Sequence, residues 1–268
     1  MYFRISLISL LFFSLSQLTY ATSKSDLDKE KRWEEQIVPS LLVGDAVKLT
    51  ADGTEFLGIY AENTADKALG GAIIVHGIGV HPAWPDIIDP LRMQLPDAGW
   101  HTLAIQMPIL KNEAEGKDYV PLMDEAPLRL QVAVDFLKAK GINNIVIIAH
   151  SLGTAMSGYY LTSKPDAAVH AYVAVSMPQF TFDKRFDNTQ HMAAIKIPVL
   201  DIYGSQDLDN VISADKARAI AAQKAGNKKY SQMKVEGANH FFNGMQEDIV
   251  KRVRGWLEKN AKGKEIKK

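Results

Sequence analysis

Short apolar runs alternate with stretches of helical periodicity from about residue 46 onward. Ala46–Thr50 and Glu55–Tyr60 flank Asp52-Gly53, a turn signal that predicts an antiparallel hairpin. Ala72–His76, Thr102–Gln106, Ile145–Ala149, Ala171–Val175 and Val199–Tyr203 are brief and mostly apolar, and each predicts a strand. A further short strand is expected at Tyr230–Val235. Ile145–Ala149 is apolar at every position, the pattern of a strand covered on both faces. Helices are expected over Asp86–Leu95, Leu128–Lys140, Leu152–Leu161, Ser213–Lys224 and Gln246–Leu257. Pro127 at the first turn of the second and Gly141 just past its end frame that helix. Ile249, Val250, Val253, Trp256 and Leu257 share one face of the last, whose start, Asn243 with Gln246 three residues on, resembles a capping box. Strands alternating with helices predict an α/β fold: a mostly parallel sheet with helices on both faces and an N-terminal antiparallel hairpin. No internal repeat or Pro-, Gly- or Ser-rich linker interrupts it, so a single domain is expected over residues 37–258.

The ends of the chain read differently. Ile5 to Leu18 is apolar with serines, Arg4 is the only charge before Lys24, and Thr19-Tyr20-Ala21 ends the run on a small residue. That is the layout of a secretory signal peptide, with cleavage expected after Ala21. Its apolar core of 14 residues is short for a bilayer span of about 20. Residues 22–36 are charged and read as a solvated tail or exposed helix, and residues 259–268 as a basic, solvated tail. The expected location is periplasmic or secreted, with no stable membrane insertion after cleavage.

Composition narrows the chemistry. Of 268 residues, 31 are Lys or Arg and 31 Asp or Glu, so nothing in the charge favours a nucleic-acid partner. A hydrophobic content of 47% excludes a globally disordered chain. The absence of cysteine excludes a disulfide framework, a thiolate metal site and a thiol nucleophile. For an exported protein it also means that stability rests on the core alone.

The candidate chemistry lies at strand ends. Ile145–Ala149 runs into Ala149-His150-Ser151-Leu152-Gly153 and then a helix. This is a variant of the G-x-S-x-G nucleophile elbow, in which small residues two before and two after the serine avoid collision in a sharp strand-to-helix turn. Alanine at 149 adds one methyl to that pattern. Ser151 would stand at a helix N-terminus, where the N–H of Leu152 is free to meet an oxyanion. A serine needs a base, and the base an orienting carboxylate. Asp207 follows the strand Val199–Tyr203 in Gly204-Ser205-Gln206-Asp207, and His240 lies in Gly237-Ala238-Asn239-His240-Phe241 before the last helix. Asp207 is favoured over Asp209 on the same loop, and Asp201, inside the strand, reads as a buried structural carboxylate. His150 is too close to Ser151 in sequence to serve as its base; His101, His170 and His191 sit in no motif.

After the strand Ala72–His76 comes His76-Gly77-Ile78-Gly79-Val80-His81-Pro82. A His-Gly dipeptide here builds the second half of an oxyanion hole in many hydrolases, with Ile78 as the favoured N–H donor and Gly79 as the alternative. A dinucleotide loop fails because Pro82 stands where the third glycine is needed, and His76 with His81 has no third metal ligand. Ser213-Ala214-Asp215-Lys216 matches S-x-x-K without its companion motifs, and Ser213 reads as a helix N-cap. No cofactor is called for.

Together, His76-Gly77-Ile78-Gly79, Ala149-His150-Ser151-Leu152-Gly153, Gly204-Ser205-Gln206-Asp207 and Gly237-Ala238-Asn239-His240-Phe241 resemble the motifs of the α/β-hydrolase superfamily, over Ala72 to Phe242. His81-Pro82-Ala83-Trp84-Pro85, Gly99-Trp100 and Gln106-Met107-Pro108 are similar to a family of exported bacterial α/β-hydrolase-like proteins of undefined function. The resemblance implies the α/β-hydrolase fold, with Ser151 as nucleophile, His240 as general base and acid, and Asp207 as orienting acid. The implied activity is serine hydrolysis of a carboxylic ester or thioester, a small-molecule substrate, through an acyl-enzyme. The alternatives are a non-catalytic exported binding or scaffold protein retaining the fold, or a serine peptidase or acyltransferase on the same site. Ile109–Ala126 and Met177–Ile195 are expected to border the site, with Tyr119, Leu122, Met123, Phe180 and Phe182 as apolar surface or as packing onto the core.

Overall fold

The structure, a computed structural model, describes residues 23–261 and residue 263. The expected signal peptide, residues 1–21, and the end of the basic tail lie outside the described residues. The chain begins with α1 (Leu27–Ile37), then forms the hairpin β1 (Asp45–Ala51) and β2 (Thr54–Ala61), and then β3 (Gly70–Val75). After α2 (Ile88–Gln94) come β4 (Trp100–Ile105), a 3₁₀ segment (Gly116–Asp124), α3 (Ala126–Ala139) and β5 (Ile145–His150). Next are α4 (Leu152–Ser163), β6 (Val169–Val175), α5 (Asn188–Ala194), β7 (Val199–Gln206), α6 (Asp209–Ile212) and α7 (Asp215–Lys224). β8 (Tyr230–Asn239) and α8 (Gln246–Asn260) complete it.

Among the described residues the strands form one eight-stranded sheet in the order β1-β2-β4-β3-β5-β6-β7-β8. β1 pairs with β2 and β2 with β4 in antiparallel fashion, and every other pairing is parallel. The hairpin turns through Asp52 (φ 46°) and Gly53 (φ 76°), the two positive φ values that a tight two-residue turn requires. β3 and β5 are buried at every residue, as their unbroken apolar runs require of strands covered on both faces. Their alternating side chains feed two core layers. One holds Ile73, Val75, Ile145 and Ile147 with α3 and α4, and the other Ile74, Val146 and Ile148 with α2 and α8. Among the described residues no helix is long and apolar enough to cross a membrane.

Several expectations are corrected. Of the two readings of the charged segment 22–36, the solvated tail is replaced by the helix, and that helix is not simply exposed: α1 docks on the domain, with Lys29, Glu30 and Ile37 buried. The Glu30 carboxylate meets Arg129 of α3 at 2.8 Å, and Ser25 bonds Ile109. A charged sequence hides such docking because its partner lies 99 residues away. Ser213 is not an N-cap: it closes α6, and Ala214 precedes α7. The expected capping box at α8 is absent, since Asn243 spends its side chain on Asp86 and Asn239. β7 and β8 run further than their apolar cores suggested, because they pair with each other as far as Gln206 and Asn239.

Candidate active site

The β5–α4 junction presents Ser151. Its backbone (φ 53°, ψ −126°) lies where a residue with a side chain is strained. The turn is held from both directions. Ser151 N–H donates to Val175 O at 3.0 Å, while the Thr154 N–H and hydroxyl donate to Ser151 O at 2.9 and 2.6 Å. The requirement for a small residue two positions on is literal: a Cβ on Gly153 would stand 2.4 Å from the His76 carbonyl oxygen. Gly77 also crosses close to Ser151: a Cβ there would meet the Ser151 Cβ at 3.0 Å.

The β7–β8 pairing delivers the other two residues. Gln206 and Asn239 are register partners, so Asp207 and His240, each the next residue along, emerge side by side. His240 Nδ1 lies 2.6 Å from Asp207 Oδ1, and His240 Nε2 lies 2.9 Å from Ser151 Oγ. An ionised carboxylate only accepts, so Nδ1 carries the proton and Nε2 is left as the acceptor for the serine hydroxyl. Burial alone would raise the Asp207 carboxyl. Hydrogen bonds from His240, Ser176 and the Leu208 N–H outweigh it and hold Asp207 below the usual carboxylate value. Asp207 thus stays charged at neutral pH. Asp209, the rival, opens α6 on the surface. Asp201 is fully buried against Arg218 at 2.8 Å, a structural pair as expected.

Ile78 and Leu152 stand where expected beside Ser151, and both line its cleft. Leu152 opens α4, so its N–H has no partner within the helix. Tyr119 closes the far side of this loop, its hydroxyl accepting the Leu110 N–H at 3.1 Å. Ile78 lines the cleft and Gly79 does not, so Ile78 stays the favoured donor from that loop. His76 anchors the loop from below. Its Nε2 accepts the Met107 N–H at 2.9 Å and its Nδ1 donates to Gly77 O at 2.9 Å. Burial lowers its pKa to about 3, so it is neutral and unfit to bring a charge to the site. His101 bonds Tyr60 at 2.9 Å, His191 is buried against Asn188, and His170 is exposed.

Two supporting residues carried no sequence signal. Ser176, at the end of β6 with φ 52°, donates its hydroxyl to Asp207 Oδ2 at 2.6 Å. His150 Nε2–H donates to the His240 carbonyl at 3.0 Å, and burial lowers its pKa to about 3. Only the strand order β5-β6-β7-β8 brings these neighbours together.

A cleft of about 360 Å³ opens over Ser151. The loop after β3 contributes Ile78, Val80 and Trp84, the loop after β6 Pro178 and Phe180, and the loop after β8 Phe241. Of the two bordering segments, Tyr119, Leu122 and Met123 turn into the core, whereas Phe180 reaches the cleft and Phe182 stays exposed.

Comparison with solved structures places this architecture among the α/β hydrolases. Est1E from Butyrivibrio proteoclasticus superposes with a TM-score of 0.63 at 17% identity, over 81% of this chain and 98% of that one. The Pyrococcus furiosus esterase Pf2001 does so with 0.65 at 19%, over 81% and 90%. A putative dienelactone hydrolase from Klebsiella pneumoniae gives 0.65 at 17%, over 81% and 98%. At such identities the likeness is one of fold. No curated protein matches the sequence. A family described as "Protein of unknown function" (DUF3530) matches residues 15–121 and 122–259, and with nearly the whole chain covered, the protein is a DUF3530 member with an α/β-hydrolase fold.

Proposed function

We propose that the protein is an exported serine hydrolase, periplasmic or secreted, acting on a carboxylic ester or thioester. The observation that carries this reading is the unbroken hydrogen-bond chain from Ser151 Oγ through His240 to Asp207, at 2.9 and 2.6 Å. His240 Nε2 takes the Ser151 proton as Oγ bonds to the carbonyl carbon. The carbonyl oxygen becomes an oxyanion and meets the N–H groups of Leu152 and Ile78. The tetrahedral intermediate collapses, the C–O or C–S bond breaks, and the proton on His240 passes to the leaving alcohol or thiol. Water then repeats the sequence on the acyl-enzyme and releases the acid. Asp207 holds the imidazole tautomer throughout and offsets its transient charge.

A fluorophosphonate probe tests the reading. Labelling of the wild type that is lost in Ser151→Ala, together with hydrolysis of p-nitrophenyl esters, is expected. A well-folded protein with neither would instead be a non-catalytic member of the fold.

A further inference from the structure

We infer that the cleft selects uncharged esters with an apolar or aromatic arm, and that Asp86 is the positioning residue that holds the wall against which this arm packs. The inference rests on the serine-hydrolase reading above and deepens it.

The cleft lining carries no Lys, Arg, Asp or Glu among the described residues. A substrate carboxylate or phosphate would lose its hydration there and find no cation in return. The apolar residues around Ser151 are also unusually exposed. Leu208 is 50% exposed, Phe241 39% and Ile78 37%, and all three line the cleft. Exposed apolar side chains gathered round one opening mark a ligand groove.

Two of the aromatic lining residues, Trp84 and Phe241, belong to different loops, and one carboxylate joins those loops. Asp86 Oδ2 accepts Trp84 Nε1–H at 3.1 Å, and Asp86 Oδ1 accepts from Asn243 Nδ2 at 2.9 Å. Asn243 is in turn tied to the histidine loop. Asn239 Oδ1 takes the N–H groups of Phe241 and Asn243 at 3.1 and 3.2 Å, and Asn239 Nδ2 donates to Asn243 Oδ1 at 2.9 Å. From the other direction His81 packs edge-on against Trp84, with ring centroids 5.3 Å apart. Asp86 therefore holds the Trp84 indole beside the loop that carries His240 and Phe241. It touches neither Ser151 nor His240, so its effect falls on how the arm is received rather than on the reacting atoms.

The test compares kcat/KM for p-nitrophenyl acetate, butyrate and hemisuccinate, with fluorophosphonate labelling run on every variant. Burying the two extra methylenes of butyrate predicts an advantage over acetate of about 15-fold. The anionic hemisuccinate is expected at least about 100-fold below butyrate, because its carboxylate is buried without a partner. Asp86→Ala and Trp84→Ala should each cut the butyrate-to-acetate ratio at least about 5-fold while Ser151 still labels, that being most of the two-methylene advantage. Asp86→Asn keeps a carbonyl acceptor and should retain most of the ratio. A purely structural role for Asp86 would lower both esters together and leave the ratio unchanged, which overturns the wall. Hemisuccinate turned over as fast as butyrate overturns the uncharged class. Labelling without either selectivity defeats this inference alone; absence of labelling in the wild type defeats the serine-hydrolase reading with it.

Discussion

Replacing Ser176 by alanine removes one hydroxyl that lies outside the cleft lining. That hydroxyl lies 2.6 Å from Asp207 Oδ2, both side chains are out of solvent, and among the described residues the only other donor on that oxygen is Gly204 N–H at 3.3 Å. A hydrogen bond to a buried charge is worth about 1.5–3 kcal/mol, and neither partner here is exposed enough to discount it. Ser176→Ala should therefore destabilise the fold by about 1.5–3 kcal/mol at pH 7. The same loss removes one of the interactions that keep Asp207 ionised, and so raises its carboxyl pKa. The sign follows from linkage. Asp207 is held below 3.8 in the folded protein, so its stabilising share is present above that value and is lost as pH falls through the folded pKa. In Ser176→Ala that loss begins at higher pH. Urea unfolding at pH 7 and along a series down to pH 3 measures both effects. A variant within about 0.5 kcal/mol of wild type, with an unshifted acid limb, would show that Ser176 does not hold Asp207 and that the argument from burial and distance is wrong.

Other perturbations follow from the same geometry. Glu30→Ala strands the buried Arg129 guanidinium and should cost about 3–5 kcal/mol in urea unfolding. Glu30→Ala combined with Arg129→Met should recover much of that, whereas no loss in the single variant would mean that α1 is not integral to the fold. His76 and His150, lowered to about 3 from 6.5, stay neutral in the folded chain while the unfolded chain takes up protons, so stability should fall as pH drops from 6.5 toward 3. Between pH 7 and 5 each contributes a loss of about 2 kcal/mol, and an unchanged urea midpoint at pH 5 would contradict their burial as neutral groups. Gly153→Ala drives a methyl to 2.4 Å from the His76 carbonyl and should displace the loop proposed to stabilise the oxyanion. Fluorophosphonate labelling should fall by at least about tenfold, since losing one oxyanion donor costs about 100-fold or more; wild-type labelling would show that the turn can relax.

The pattern along the chain was enough for the sheet class, because each core strand announces itself by a local apolar run and each helix by a local period. The elbow was legible for the same reason: Ala149 to Gly153 must satisfy one tight turn, and that constraint is written in five consecutive residues. The order Ser151, Asp207, His240 could be read because each residue ends a strand, and strand ends share one edge of a parallel sheet. Register between strands decided the rest. Asp207 and His240 meet because Gln206 pairs with Asn239. Ser176 reaches Asp207 because β6 lies beside β7. The charged stretch before residue 37, read as a solvated tail or exposed helix, is a helix fastened by Glu30 to Arg129. Such contacts join residues distant in sequence, and a single hydrogen bond places no demand on neighbouring positions. It therefore leaves no periodicity or spacing to read, and only the folded chain, by closing those distances, determines which polar groups support the site.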